Sequence, residues 1–201
     1  MEMKVLPVTL EGLVVRLEPL SLDHVADMAI AARDESIWRY MLYGTIRSET
    51  DMRAWVEDML NRKAQGTDLP FAVVHRTSGR VAGATRYLDI RPAHRGLEIG
   101  GTWYGKEYQR TAVNTESKYL LLRHAFETLG CIRVQFKADA RNERSLRAME
   151  RIGAVREGVL RNHMVLEDGT YRDSVYYSIL DREWPTVKAA LEAKLAPRVR
   201  Q

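Results

Sequence analysis

The 201-residue sequence contains a single cysteine, Cys131, and therefore has no internal disulfide framework. No apolar run reaches the length of roughly 20 residues that a membrane-spanning helix needs, and no signal-peptide core follows the first four residues. These absences predict a cytoplasmic protein without a membrane segment. Cys131 follows a helix stop and opens a strand, so we expect a buried thiol rather than a nucleophile.

The sequence also lacks runs of charge of one sign. Its net charge is +4, but 31 Lys and Arg residues are interspersed with 27 Asp and Glu residues. The tryptophans are scattered as well, so no aromatic platform for stacked bases is visible. The composition argues against a nucleic-acid-binding domain and suits a local basic rim for a polyanionic small ligand. The length and a hydrophobic content of 45% fit one α/β domain with a buried core.

What is present is a strand, a polar loop and an amphipathic helix between Leu97 and Leu129. Apolar residues at spacings of three and four predict the helix, Asn114 or Thr115 is expected to cap it, and Gly130 is expected to end it. Glu116 falls in the first turn, where a negative charge suits the helix dipole. This order of elements predicts an anion site, because backbone N–H groups and the positive end of the dipole meet there.

Two phosphate-loop patterns compete in this stretch. Gly100 to Lys106 fits the first seven positions of G-x-x-x-x-G-K, but Glu107 follows where a Ser or Thr is needed, and the helix begins too late. The segment from Gln109 to Asn114 is the better candidate. It resembles the pyrophosphate loop of the GNAT family of N-acetyltransferases, whose form is Gln/Arg-x-x-Gly-x-Gly/Ala, with Ala112 and Asn114 in place of the two glycines.

A second match follows one strand later, between Asn142 and Ala154. Asn142 is expected to cap a helix that places Ser145 and Met149 on one side. The GNAT family has Asn-x-x-Ala/Ser in this register, a tyrosine seven positions after the Asn, and a Gly-Phe ending; here Met149 replaces the tyrosine and Ala154 the phenylalanine. The resemblance is closest to the branch of ribosomal-protein-alanine N-terminal acetyltransferases, in which a serine at the Ser145 position is assigned the proton-donor role.

The resemblance implies the fold. We expect a single N-acetyltransferase domain over residues 1–201, with a core at about residues 12–185 and a C-terminal helix at about residues 183–196. Its mixed α/β sheet has about seven strands flanked by helices. Three antiparallel strands precede the central helix, which crosses over to a parallel strand, and a hairpin with its turn at Glu167-Asp168-Gly169 follows. Helices are also expected near residues 21–32, 35–41 and 48–66, and a first strand at residues 13–17.

The resemblance also implies acetyl-CoA as the co-substrate, with no metal. The residues expected to bind acetyl-CoA lie along the central strand, in the loop and on the second helix: Thr102, Trp103, Tyr104, Gln109, Arg110, Thr111, Ala112, Val113, Asn114, Asn142 and Ser145. The partner is an amine acceptor, either a protein N-terminus or a small molecule. Nucleic acid and membrane are not expected partners, and the oligomeric state stays open between a monomer and a homodimer.

Two catalytic residues are expected, Ser145 as the acid for the departing thiolate and Glu98 as the base. By period-two alternation Glu98 shares a face of its strand with Gly100 and Thr102, so it is expected to look into the cleft. His163 or a water molecule is an alternative base, because Met164 stands where related enzymes carry a glutamate. The missing tyrosine and glutamate leave one alternative open, a weak or inactive CoA-binding or peptide-binding protein.

Overall fold

The computed structural model describes residues 3–166 and 168–196. These residues form eight strands and five α-helices. The strands are β1 (Leu10–Glu11), β2 (Val15–Pro19), β3 (Leu69–His75), β4 (Val81–Arg91), β5 (Gly96–Tyr104), β6 (Arg133–Asp139), β7 (Val155–Val165) and β8 (Tyr171–Leu180). The helices are α1 (Val25–Ala31), α2 (Glu49–Ala64), α3 (Ala112–Arg123), α4 (Glu143–Arg151) and α5 (Trp184–Leu195). Glu167 of the expected hairpin turn, together with residues 1–2 and 197–201, lies outside the described residues.

The strands form one mixed sheet in the order β1-β2-β3-β4-β5-β6-β8-β7. The pair β5–β6, joined by α3, is parallel, and every other neighbouring pair is antiparallel. The expected mixed sheet and β-α-β crossover are confirmed. The sheet has eight strands rather than about seven, because a two-residue strand, β1, pairs with β2.

Helices cover the two faces of the sheet unevenly. We call one side the α3 face, because α3, α4 and α5 pack there on a large apolar cluster that includes Leu97, Ile99 and Leu121. The other side, the α2 face, carries α1 and α2 on a smaller apolar cluster that ends at Trp103 of β5. Beyond β5 the α2 face of β6 and β8 is polar, with Gln135, Asp139, Arg172, Ser174 and Ser178 buried among one another.

Two expected helix boundaries are wrong. The N-cap of α3 is Thr111, not Asn114 or Thr115, because the Thr111 hydroxyl accepts a hydrogen bond from the Val113 N–H at 3.2 Å and starts the helix earlier. The expected helix at residues 35–41 is a single 3-10 turn, Glu35–Ile37, which Asp34 caps. The first strand is also displaced, to Val15–Pro19. α3 itself ends at Arg123 but continues as one π-helical turn, His124–Thr128, so the central helix stops just before Gly130, which has φ 66°, as expected. The end of α5 at Leu195 also agrees with expectation.

A β-bulge in β5 changes which residues share a face. Ala84 of β4 pairs with Trp103 of β5, and Arg86 pairs with Gly100, so two residue steps along β4 are matched by three along β5. Gly101, within the longer segment, has φ 57°. The bulge reverses the alternation, so Leu97, Ile99 and Tyr104 all belong to the α3-face cluster, whereas Trp103 belongs to the α2-face cluster. The expectation that Glu98 and Thr102 share a face is therefore wrong. Glu98 lies on the α2 face and Thr102 on the α3 face.

Candidate active site

A cleft opens in the middle of the sheet because β5 and β6 pair over only three residues. The last ladder pair is Glu98 with Gln135, and no pairs join residues 99–104 to residues 136–139, all of which the structure describes. The two strands are parallel, so the elements that follow them, α3 after β5 and α4 after β6, begin at the same edge of the sheet. Both sequence motifs therefore meet at one end of the cleft.

Side-chain hydrogen bonds join the loop before α3 to α4. The Gln109 amide nitrogen donates to the Tyr104 carbonyl at 2.9 Å, and Arg144 of α4 donates to the Gln109 amide oxygen at 2.6 Å. About two helix turns further along α4, Arg151 donates to the Thr115 hydroxyl of α3 at 2.8 Å. The structure thus brings together two motifs that are about 30 residues apart in the sequence. They are close in space because the β-α-β crossover places both strand ends at the same edge of the sheet.

The loop adopts its conformation without glycine. Ala112 and Asn114, which stand where the family pattern has glycines, lie in the first turn of α3 with right-handed helical backbone. The left-handed residue of the loop is Arg110, with φ 61°. The N–H groups of a first helical turn have no partner within the helix, and Thr111 takes only that of Val113. The N–H groups of Ala112 and Asn114 therefore remain for a ligand.

The loop presents positive charge beside these N–H groups. Arg110 and Arg144 are exposed, and Lys106, with a side-chain exposure of 64%, is paired only with Asp34 at 3.4 Å in the described chain. A diphosphate suits this setting, since helix N-terminal amides and guanidinium groups both favour phosphate oxygens. The residues present thus fit the pyrophosphate of CoA, with Arg110, Ala112 and Asn114 as the groups that would hold it.

Ser145 occupies the first turn of α4, next to Arg144. Its N–H donates to the Asn142 side-chain oxygen at 3.1 Å, so Asn142 is the expected N-cap. The Ser145 hydroxyl, which is half-buried, has no hydrogen-bond partner among the described residues. Met149 lies one turn further on and is buried in the α3-face cluster. Since Ser145 and Met149 are four residues apart, the hydroxyl lies on the same side of α4 as the buried methionine.

The three residues expected along the pantetheine arm do not point the same way. Thr102 and Tyr104 project toward the α3 face, whereas Trp103 projects to the α2 face, where its ring lies 5.2 Å from that of Trp38 and 6.3 Å from that of Trp55 between centroids. The Trp103 indole nitrogen and the Tyr104 hydroxyl are buried without a hydrogen-bond partner in the described chain. Burial raises the pKa of Tyr104 well above its ordinary value, so its hydroxyl stays protonated.

Glu98 lies on the opposite side of the cleft from α4. One carboxylate oxygen, Oε2, accepts hydrogen bonds from Gln135 at 3.0 Å and from Lys137 at 3.4 Å. The other oxygen, Oε1, has no hydrogen-bond partner among the described residues and lies 3.0 Å from where a Cβ on Gly100 would be. The missing side chain at Gly100 leaves Oε1 open to the strand edge, although Glu98 as a residue is only 2% exposed.

His163 lies too far from the cleft for direct proton transfer. It is on β7, three strands from β5, and neighbouring strands are roughly 4.8 Å apart. Its Nδ1 pairs with the Ser174 hydroxyl at 3.0 Å, and its ring packs on that of Tyr176. Of the two side chains considered as the base, the structure brings only Glu98 to the cleft.

The roles of two residues on α3, Glu116 and Lys118, were not predicted from the sequence. Glu116 is not a dipole partner at the helix start; its carboxylate accepts from the N–H groups of Leu13, Val14 and Val15 at 2.7–2.9 Å and ties the N-terminal strands to α3. Lys118 is buried, and its Nζ donates to the Thr102 hydroxyl at 2.6 Å. The signal for Lys118 was its register, because it lies three and four residues before Leu121 and Leu122 and so shares their buried stripe.

Residues 3–166 and 168–196 contain neither a cluster of metal ligands nor a membrane-spanning helix. No group of three or more His, Cys, Asp or Glu side chains there is arranged to hold a metal ion. Within the same ranges, no helix combines the length and apolar character that crossing a bilayer requires. Cys131 is buried, its sulfur 4.0 Å from that of Met3, and burial raises the pKa of its thiol to about 11.

Comparison with known proteins agrees with this geometry. The family model "Acetyltransferase (GNAT) domain" matches residues 15–155. A Bacillus subtilis (strain 168) protein named "Putative ribosomal N-acetyltransferase YdaF" is 28% identical over 176 residues, which are 87% of this chain and 94% of that protein.

Solved structures are similar over nearly the whole chain. An acetyltransferase structure from T. thermophilus is 44% identical, with a TM-score of 0.87, and the match covers 96% of this chain and 100% of that one. A GCN5-related N-acetyltransferase from Brucella melitensis is 32% identical, with a TM-score of 0.93, and the match covers 100% and 90% of the two chains. The chain belongs to the GNAT acetyltransferase family and is an acetyl-CoA-dependent N-acetyltransferase.

Proposed function

We propose that the acceptor is the α-amino group of a protein N-terminus, with a small-molecule amine as the alternative. The similarity to a protein named as a ribosomal N-acetyltransferase supports this choice. The polar character of the α2 face beside Glu98 also supports it. On the α2 face, the apolar cluster reaches only as far as β5, and the buried side chains of β6 and β8 beside Glu98 are polar, which suits a charged amine better than an apolar acceptor.

The proposal assigns acetyl-CoA to the cleft between β5 and β6. Its pyrophosphate lies on the loop and the first turn of α3, held by Gln109, Arg110, Thr111, Ala112, Val113 and Asn114. Its pantetheine arm follows the backbone of Thr102, Trp103 and Tyr104, and Asn142 and Ser145 border it from α4. The observation that supports this assignment is the hydrogen bond from Arg144 to Gln109, because it joins the loop before α3 to the first turn of α4, which carries Ser145.

Ser145 is the proposed acid. Acetyl-CoA supplies a thioester whose carbonyl carbon the amine attacks and whose sulfur leaves as a thiolate. A proton must reach that sulfur, and a methionine in place of the usual tyrosine cannot give one. The Ser145 hydroxyl is half-buried and unpaired within the described chain, so its hydrogen is free to be donated toward the cleft.

Glu98 is the proposed base. An acceptor ammonium must lose a proton before it can attack, and Oε1 of Glu98 is the unpaired carboxylate oxygen at the strand edge on the acceptor side. Gln135 and Lys137 hold Oε2 and so fix the direction of Oε1. Because Glu98 is almost fully buried, the proton is taken through one water molecule rather than by direct contact.

Three further assignments belong to the proposal. The chain is one N-acetyltransferase domain, with its core at about residues 12–185 and its C-terminal helix at about residues 183–196, and it works in the cytoplasm as a homodimer. The edge strand β7 supports the homodimer, since Val155, Leu160 and Val165 are exposed at 53%, 49% and 70% on a strand with one free side. Light scattering of the purified protein tests it, and a monomeric mass at micromolar concentration contradicts it.

Calorimetry with acetyl-CoA, followed by thiol release with a panel of amines, tests the proposed function. We expect binding of acetyl-CoA, and turnover with peptides that carry a free N-terminus exceeding turnover with the same peptides after N-terminal blocking. Turnover only with small amines contradicts the proposed acceptor. Binding without turnover on any amine favours the alternative, a CoA-binding or peptide-binding protein that has lost catalysis.

A further inference from the structure

A pair of hydroxyl groups on the α3 face, those of Thr85 and Thr102, has a buried lysine as its third partner. Thr102 of β5 and Thr85 of β4 lie at the bulge between the two strands, with their hydroxyl oxygens 2.8 Å apart. Lys118 of α3 reaches the same Thr102 oxygen, at 2.6 Å. Lys118 and Thr85 are 7% and 1% exposed, so both are cut off from bulk water.

The donors and acceptors of this group can be assigned from its contacts. The Thr85 hydroxyl has Thr102 as its only hydrogen-bond partner among the described residues. If Thr102 donated to Thr85, the hydrogen of Thr85 would be buried without an acceptor, which costs more than an unused lone pair. Thr85 therefore donates to Thr102, and a Lys118 ammonium also donates to Thr102, since it has no lone pair.

Thr102 is left with both lone pairs occupied and its own hydrogen unpaired. No acceptor within the described chain is bound to that hydrogen, and Thr102, unlike its two partners, is part-exposed. It follows the Gly101 bulge in the stretch of β5 that does not pair with β6. The hydroxyl hydrogen is thus free to be donated to acetyl-CoA in the proposed binding mode, in which the cofactor lies along this part of β5.

We propose that the Thr102 hydroxyl is a further hydrogen-bond donor to the acetyl thioester during transfer, and that Lys118 is the positioning residue that orients and polarises it. The inference rests on the proposed binding mode, in which the pantetheine arm follows β5. A donor aimed at the place where negative charge develops lowers the barrier, and it does so most in a site shielded from water. A second donor beside Ser145 would compensate in part for the missing tyrosine.

The surroundings of Lys118 make its protonation sensitive to negative charge that develops in the cleft. Among the described residues no carboxylate pairs with Lys118, and burial lowers the pKa of its ammonium to about 7. An uncompensated buried lysine is costly to the fold, which makes a purely structural purpose hard to explain. Negative charge developing on the thioester would favour the ammonium, and the ammonium keeps Thr102 in its donating orientation.

The test uses Thr102→Val, Thr102→Ser, Lys118→Met and the double variant Thr102→Val/Lys118→Met, with Lys188→Met as the matched control. Lys188 lies on α5 and pairs with Glu127, away from the cleft. Acetyl-CoA affinity is measured by calorimetry, folding by circular dichroism, and kcat and KM by thiol release with the best acceptor amine. Affinity gives a readout that does not depend on turnover.

We expect kcat to fall about 10- to 100-fold in Thr102→Val and about 10-fold in Lys118→Met, with acetyl-CoA affinity within about twofold of the wild type. Thr102→Ser, which keeps a hydroxyl, and Lys188→Met should stay close to the wild type. Adding Lys118→Met to Thr102→Val should change kcat less than about twofold, since the lysine acts through the hydroxyl.

Three outcomes overturn the inference: wild-type kcat in Thr102→Val, affinity falling in parallel with kcat in both single variants, or multiplicative losses in the double variant. Should Lys118→Met not fold, Thr102→Val against Thr102→Ser decides whether the hydroxyl takes part. A wild-type protein that binds no acetyl-CoA would contradict the proposed binding mode itself. Wild-type binding and turnover with unchanged Thr102 variants would contradict only this inference.

Discussion

The carboxylate of Glu116 occupies the space that a side chain on Gly12 would need. A Cβ on Gly12 would lie 2.3 Å from Oε2 of Glu116, the oxygen that accepts from the N–H groups of Val14 and Val15 at 2.7 Å. The turn between β1 and β2 thus closes directly onto a carboxylate in α3. Since the proposed anion site is at the N-terminus of α3, this contact holds the helix on which that proposal depends.

Gly12→Ala should destabilise the protein by about 2–4 kcal/mol, because the added methyl group displaces the carboxylate and leaves buried N–H groups unpaired. Urea unfolding followed by circular dichroism measures the change. Gly158→Ala is the matched control, since a Cβ there meets nothing within 4 Å. Equal stability of the two variants would show that Glu116 relaxes without losing its hydrogen bonds.

Lys118→Met should stabilise the protein at pH 7. The pKa of Lys118 is lowered to about 7 by burial, against about 10.4 in an unfolded chain, so the unfolded state binds more protons between these two values. At pH 7 the lowered pKa of Lys118 costs the folded protein of the order of 4 kcal/mol of stability, and the methionine variant does not have this cost. The variant loses about 1 kcal/mol because the hydrogen bond to Thr102 is gone.

The sign of the pH dependence provides the check. Wild-type stability should rise relative to Lys118→Met as pH increases from 7 toward 10, so the advantage of the methionine variant is largest at pH 7 or below and shrinks above it. Urea midpoints of the two proteins at pH 7 and pH 9 measure this difference. An advantage that is independent of pH would mean that Lys118 keeps its charge in the folded protein.

Ser145→Ala should lower kcat about 10- to 100-fold and leave the affinity for acetyl-CoA nearly unchanged, because a proton donor acts in the transition state. Thiol-release kinetics and calorimetry measure the two quantities. Ser78→Ala, in the exposed turn between β3 and β4, is the control. A parallel loss of affinity and kcat would make Ser145 a binding residue.

Gly100→Ala should reduce turnover at least about tenfold while acetyl-CoA affinity is kept. Its Cβ would lie 3.0 Å from both Oε1 of Glu98 and Cδ2 of Leu88, so the carboxylate must turn away from the strand edge. Since neither contact involves the loop or α3, the anion site is not disturbed. Wild-type turnover in this variant would remove Glu98 as the base and leave water or the neutral amine.

Much of the fold could be predicted because it is encoded locally. The apolar stripe of the central helix, the stop at Gly130 and the cap at Asn142 each depend on residues a few positions apart. The same holds for the two family motifs, which placed the loop and Ser145. The N-cap of α3 was missed because three neighbouring polar residues, Thr111, Asn114 and Thr115, all suit the position, and only the backbone conformation chooses among them.

Other features depend on contacts between distant parts of the chain. The bulge at Gly101 is a matter of register between β4 and β5, and one extra residue moves Thr102 to the face opposite Glu98. Ala112 and Asn114 stand where the family pattern has glycines, yet both have helical backbone, and the left-handed residue of the loop is Arg110. Neither result follows from a local pattern.

By itself, the sequence determined the order of the main strands and helices, the loop and helix terminus that we propose for the anion, and the likeness to the GNAT family, because periodicity, caps and motifs are properties of neighbouring residues. The tertiary structure alone decided which side chains meet: Arg144 with Gln109, Glu116 with the turn at Gly12, and Lys118 with Thr102. The physical reason is that such contacts are set by strand register and helix packing, which join residues far apart in the chain.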